Sequence, residues 1–117
     1  MIEIIEGLPD NVVGIIAKGK VTNEHYRKIV QPKVQRTLNR HHKVRLYYEI
    51  GGRFPGAAWD DLRLEIEQLP SWERVALVTD VGWVRQTVKA LRLLIGSDVR
   101  VFTASQAHEG LAWATSR

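Results

Sequence analysis

One segment constrains the fold more than any other: Arg74-Val-Ala-Leu-Val-Thr79 is a nearly continuous apolar run of strand length. A strand whose two faces are both covered needs such a run, whereas a half-exposed strand would alternate polar and apolar residues. The flanking segments supply the cover. Residues 57–69 repeat at helical spacing through Ala58, Leu62, Ile66 and Leu69, and Pro70-Ser71 stops the pattern. Residues 83–95 do the same through Val84, Val88, Leu91 and Ile95, with Gly96 as the stop. Helix, buried strand and helix in succession indicate a sheet with right-handed crossovers and helices on its faces.

The rest of the chain extends this pattern. Residues 2–5 and 11–18 are short apolar runs separated by Gly7-Leu8-Pro9-Asp10, which predicts two strands joined by a tight turn. From Thr22, a predicted helix cap, Tyr26, Ile29, Val30, Val34 and Leu38 recur at helical spacing. Pro32 interrupts them and lacks the amide that would bond one turn back, so a kink or a late helix start is expected there. Residues 43–50, with Val44, Leu46, Tyr47, Tyr48 and Ile50, read as a central strand ending at Gly51-Gly52. Residues 99–102 form a last strand, Ser105 is placed to cap a last helix, and Leu111, Ala112 and Trp113 to pack it down. The expected fold is α/β: a single domain over residues 1–117, with a mixed, mostly parallel sheet of about five strands and about four helices in the order β-β-α-β-α-β-α-β-α.

Composition removes several functions. With no cysteine, disulfides, thiolate metal sites and a cysteine nucleophile are excluded. The opening Met-Ile-Glu-Ile-Ile-Glu has no basic segment ahead of an apolar stretch, and no apolar run approaches the ~18 residues of a spanning helix. A cytoplasmic location is expected. The net charge of +4 conceals an asymmetry, because positions 18, 20, 27, 28, 33, 36, 40, 43 and 45 are all Lys or Arg against Glu24 alone, while residues 60–73 are acidic. Such polarity suits anionic partners, although a solvated face has the same composition.

Three segments carry a resemblance: Phe54-Pro-Gly-Ala-Ala-Trp-Asp-Asp61; Arg74-Val-Ala-Leu-Val-Thr-Asp80 followed by Trp83; and Val99-Arg-Val-Phe102 with residues 107–113. In this order, across essentially the whole chain, they resemble the SpoIIAA-like family, a branch of the STAS domains whose fold is also similar to the CRAL-TRIO lipid-transfer domains. The resemblance implies a four- or five-stranded mixed sheet with helices packed on it and no established enzymatic activity. In the anti-sigma-factor antagonists of this fold, the loop between the third strand and the second helix carries a Ser or Thr that a partner kinase phosphorylates. Here that loop is Gly51-Gly-Arg-Phe-Pro-Gly56, without a hydroxyl, so the phosphorylation switch does not carry over.

Two tryptophans, Trp59 and Trp83, fall in the first turns of consecutive expected helices. With Phe54, Leu62 and Ile66 on one side and Thr87, Val88 and Leu91 on the other, they would frame an apolar cleft for a small apolar or lipid-like ligand; helix-to-sheet packing would use the same residues. Arg85, Lys89 and Arg92 share one face of the second of these helices, about 100° from its core stripe. Beside an interfacial tryptophan they suit an anionic membrane surface, which would place the protein peripherally on the inner membrane.

His25, His41, His42 and His108 lack ligand spacing, so neither a metal nor another cofactor is expected. Asp60 and Asp61 begin a helix whose dipole is reason enough for them, and Glu65 follows one turn on. With no nucleophile elbow, phosphate loop or zinc signature, no catalytic residue is assigned and no enzyme is expected. Tyr47 and Tyr48 point to opposite faces of a strand, which gives no base-stacking platform and argues against nucleic acid. The sequence thus reads as a non-enzymatic module for an apolar or lipid-like ligand at the 57–69/83–95 cleft. The alternative is a STAS-type regulatory module with a protein partner. A homodimer is compatible with either.

Overall fold

A computed structural model of the chain describes residues 2–17, 24, 26–40, 43–51, 72–94 and 98–116. The strands are β1 (Ile2–Ile5), β2 (Val12–Ala17), β3 (Val44–Ile50), β4 (Trp72–Thr79) and β5 (Asp98–Phe102), and the described α-helices are α1 (Gln31–Arg40), α2 (Gly82–Leu94) and α3 (Ala107–Thr115). They form one sheet in the order β1-β2-β3-β4-β5. β1 runs antiparallel to β2, pairing Ile2 with Ala17 and Ile5 with Gly14, and the remaining neighbours are parallel. The β1–β2 turn needs its glycine: Gly7 has φ +79°, a region in which a Cβ is strained, and the Val12 amide donates to the Pro9 carbonyl at 2.9 Å to close the turn.

Because β2 to β5 follow one another across the sheet in a single direction, right-handed crossovers between them fall on one face. On that face Val13, Ile15, Leu46, Tyr48, Val75, Leu77 and Val99 pack with Val34 of α1 and with Val84 and Val88 of α2. α3 leaves the edge strand and returns across the opposite face, where Tyr47, Ala76 and Val78 meet Ala114, Phe102, Leu111 and Trp113. Two covered faces explain why β4 is apolar without a break from Val75 to Val78. They also bury both tyrosines. Burial raises the Tyr47 phenol far above its ordinary pKa, and the Glu49 carboxylate, which accepts the Tyr47 O–H at 3.0 Å, pushes in the same direction.

α3 is fastened at its C-terminal end. Arg74 Nη1 donates to the Trp113 carbonyl at 2.8 Å and to Ser116 Oγ at 2.6 Å. Arg45 Nη1 donates to the carbonyls of Ala114 and Ser116, and its Nε pairs with Glu73 at 2.5 Å. Both guanidinium groups therefore sit at the negative end of the helix dipole. Arg100 and Arg74 also lie over the Trp113 ring, at 4.6 and 5.5 Å from its centroid.

The structure adjusts several sequence expectations. Around Pro32, a π-helical turn (Tyr26–Val30) precedes α1. The missing proline amide removes an i→i−4 bond, and a wider turn accommodates its loss. β4 begins at Trp72, two residues earlier than expected, across a register irregularity at Val44/Arg45. Ser105 is not the cap of the last helix. Thr103 precedes a 3₁₀ turn (Ala104–Gln106), its amide donates to Gln106 Oε1 at 3.0 Å, and Ser105 lies inside that turn with its hydroxyl on Thr103 Oγ1. Ala112 is exposed, and Gly110 and Ala114 take the buried positions of α3. The helix expected over 57–69, the Thr22 cap and the Gly96 stop lie outside the described residues.

Candidate functional site

In a parallel sheet the loops leaving the carboxyl ends of the strands are free to carry function, while the opposite ends mostly close the fold. At this edge the carboxyl end of β4 is tightly organised. The Thr79 hydroxyl accepts from the Val81 amide at 3.0 Å, Arg85 Nη1 donates to the Thr79 carbonyl at 3.2 Å, and Asp80 Oδ1 accepts from the Ala104 amide at 3.0 Å. The last bond ties the β4–α2 connection to the segment after β5. α2 consequently starts from a fixed position, and Trp83 in its first turn is held outward at 42% exposure, the one large apolar side chain left exposed among the described residues. The Thr87 hydroxyl donates to the Trp83 carbonyl at 2.7 Å.

The sequence-predicted residues divide in this frame. Trp83 faces outward, whereas Val88, five residues on and so about 140° round the helix, is fully buried in the core with Val84. Packing against the sheet uses Val88, and solvent meets Trp83. Thr87 is half-buried, and its hydroxyl is engaged within the helix. Arg85 is half-buried and directed to the end of β4. Leu91, Lys89 and Arg92 fall on α2, with their side chains outside the described set, and Phe54, Trp59, Leu62 and Ile66 lie outside the described residues. Among the described residues, no group of three or more His, Cys, Asp or Glu side chains is placed to hold a metal, and His108 is exposed.

Sequence reasoning missed a second feature, at the opposite end of the sheet. There the turn between β1 and β2 faces the last two turns of α1 across an open cleft lined by Glu6 and Asp10 on one wall and Lys33, Arg36 and Arg40 on the other. The basic run was visible in the sequence. Its partner wall was not, because it lies more than twenty residues earlier in the chain.

The SpoIIAA-like family model matches residues 12–115, from the start of β2 to the end of α3. The chain belongs to the SpoIIAA-like family. No curated protein and no solved structure matches it. The five-stranded mixed sheet with its packed helices is consistent with a STAS-type fold, and the matched stretch begins just after the β1–β2 turn, so β1 and that turn precede it. No described helix is long and apolar enough to cross a membrane.

Proposed function

We propose that this SpoIIAA-like chain is a regulatory interaction module that performs no chemistry of its own and docks a protein partner at the carboxyl edge of its sheet, with Trp83 as the anchor. The observation that carries this reading is the 42% exposure of Trp83 on a backbone fixed by the Asp80–Ala104 and Arg85–Thr79 hydrogen bonds. Tryptophan dominates interface energetics because a large rigid ring loses little entropy on docking, and a pre-ordered backbone lowers the cost further. Membership of the family supports a STAS-type regulatory role. The segment that follows β3 in sequence, Gly51 to Gly56, has no hydroxyl, so regulation here would act through docking rather than through phosphorylation of that segment.

The experiment compares wild type with Trp83→Ala as baits in extracts of the source cells. The expected result is a stoichiometric protein partner retained by the wild type and lost by the variant, with the urea midpoints of the two baits close together. Equal retention by both baits would refute Trp83 as the anchor. The apolar-ligand reading, which includes the CRAL-TRIO relation, rests on Phe54, Trp59, Leu62 and Ile66 together with Trp83, Thr87, Val88 and Leu91, and burial of Val88 and its neighbour Val84 against the sheet leaves those two no free surface for a ligand. Native mass spectrometry of the purified protein separates the readings: a co-purifying lipid whose release follows Trp59→Ala would favour the ligand carrier.

A further inference from the structure

The cleft between the β1–β2 turn and α1 has a volume of about 480 Å³, within the range of small-ligand sites. Its helical wall presents Lys33, Arg36 and Arg40, spaced three and four apart and hence on one side of α1. Its turn wall presents Glu6 and Asp10. The charges on these walls are uncommitted. The described ion pairs are Lys28–Glu24, Arg45–Glu73 and Arg100–Asp98, and none of the five cleft residues pairs with an opposite charge among the described residues. Arg36 donates one Nε bond to the Pro32 carbonyl at 3.3 Å, which leaves its terminal nitrogens unused by that bond.

The other described arginines of the sheet and of α2 make a useful contrast. Arg45 and Arg74 cap α3, Arg85 reaches the Thr79 carbonyl, and Arg100 lies over Trp113. The cleft also has firm walls. The turn is closed by the Val12–Pro9 bond and shaped by Gly7, and within α1 the buried Thr37 hydroxyl donates to the Lys33 carbonyl at 2.9 Å.

Such a cleft selects by charge. A polyanion such as a nucleic-acid backbone would be attracted by α1 and repelled by Glu6 and Asp10. A purely cationic ligand meets the reverse conflict. A phosphate ester that carries hydroxyls satisfies both walls: its phosphate oxygens take the forked donors of Arg36 and Arg40, and its hydroxyls donate to the carboxylates. We propose that this cleft binds the phosphate ester of a small polyol, of the glycerol phosphate kind, either free in solution or as the headgroup of an anionic lipid. The site is at the far end of the sheet from Trp83 and is independent of the docking reading.

The test titrates the full chain, followed by amide NMR, with glycerol 3-phosphate, with methyl phosphate, and separately with phosphatidylglycerol or phosphatidylcholine vesicles. Glycerol 3-phosphate should shift resonances of residues 6–12 and 33–40, and Arg36→Gln with Arg40→Gln should weaken binding at least about tenfold. Both are exposed surface positions, and retention of the wild-type spectrum elsewhere shows that the variant is folded. Binding of the phosphatidylglycerol vesicles alone, lost in the same variant, identifies the ligand as a lipid headgroup. Asp10→Asn should lower the preference for glycerol phosphate over methyl phosphate by about fivefold, since only glycerol phosphate offers hydroxyls to the turn wall. Trp83→Ala should leave all of these results unchanged. The proposal is overturned if neither the soluble ester nor the anionic vesicle perturbs the cleft, if the double variant binds as well as wild type, or if Asp10→Asn leaves the preference intact.

Discussion

Replacing Gly110 with alanine sets two opposed effects against each other at one position of α3. Alanine favours a helix interior over glycine by about 1 kcal/mol, so a helix loosely seated on its sheet would gain stability. The added Cβ would lie 3.0 Å from Phe102 Cδ2, 3.1 Å from Val78 Cγ2 and 3.3 Å from Phe102 Cγ, so those neighbours must give by a few tenths of an ångström. Val78 is fully buried on an interior strand, and its branched side chain has little rotamer freedom to yield. The Phe102 ring, tilted at 45° against Trp113 with centroids 6.1 Å apart, can move only with its neighbour. The helix cannot easily rise, because Arg45 and Arg74 hold its end. Overpacking of this kind costs about 1–3 kcal/mol, which outweighs the propensity gain and leaves a net loss of about 1 kcal/mol. Urea denaturation of Gly110→Ala beside Ala112→Gly, an exposed position of the same helix, isolates the two effects. Ala112→Gly should lose about 1 kcal/mol from propensity alone. Phe102→Leu should shrink the cost of Gly110→Ala, because part of the obstruction is gone. A Gly110→Ala protein more stable than wild type would show that α3 does not approach the sheet this closely, and the account of the second face would fail.

Arg74→Ala removes two donors at the end of α3 and one guanidinium from Trp113; a loss of about 1–2 kcal/mol in urea is expected, with faster hydrogen exchange confined first to α3. Val88→Ala should cost about 2 kcal/mol because the side chain is fully buried, while Trp83→Ala should cost under about 1 kcal/mol; the reverse order in denaturation curves would mean that Trp83 packs and Val88 lines a space. For Tyr47, the folded pKa is raised above the unfolded value of about 10, so the protonated phenol stabilises the fold fully below that pH. That contribution is lost progressively as pH rises above about 10, and Tyr47→Phe, compared with wild type by denaturation at a series of alkaline pH values, should show a shallower decline.

Much of the fold was legible in the sequence because it depends on local periodicity. An uninterrupted apolar run at 75–78 is what a strand covered on both faces requires, and the opposite orientation of Tyr47 and Tyr48 follows from the pleat. Helical spacing at Val84 and Val88 likewise foretold their burial, and Pro32 marked the irregular start of α1. The candidate site was less legible. Trp83 and Val88 belonged to one expected cleft as long as only their helical positions were known, and the packing of α2 on the sheet separated them into an outward and an inward residue. Charge was harder still. Arg45, Arg74 and Arg100 look no different in sequence from Lys33, Arg36 and Arg40, yet the first three are spent on α3, Trp113 and nearby carboxylates while the second three face Glu6 and Asp10 across open space. Within the described residues, the sequence by itself determined which segments are strands and helices and which of their faces are apolar, since period and burial are properties of neighbouring residues. Only the tertiary structure decided which side chains remain available for a partner or a ligand, because that depends on groups brought together from distant parts of the chain.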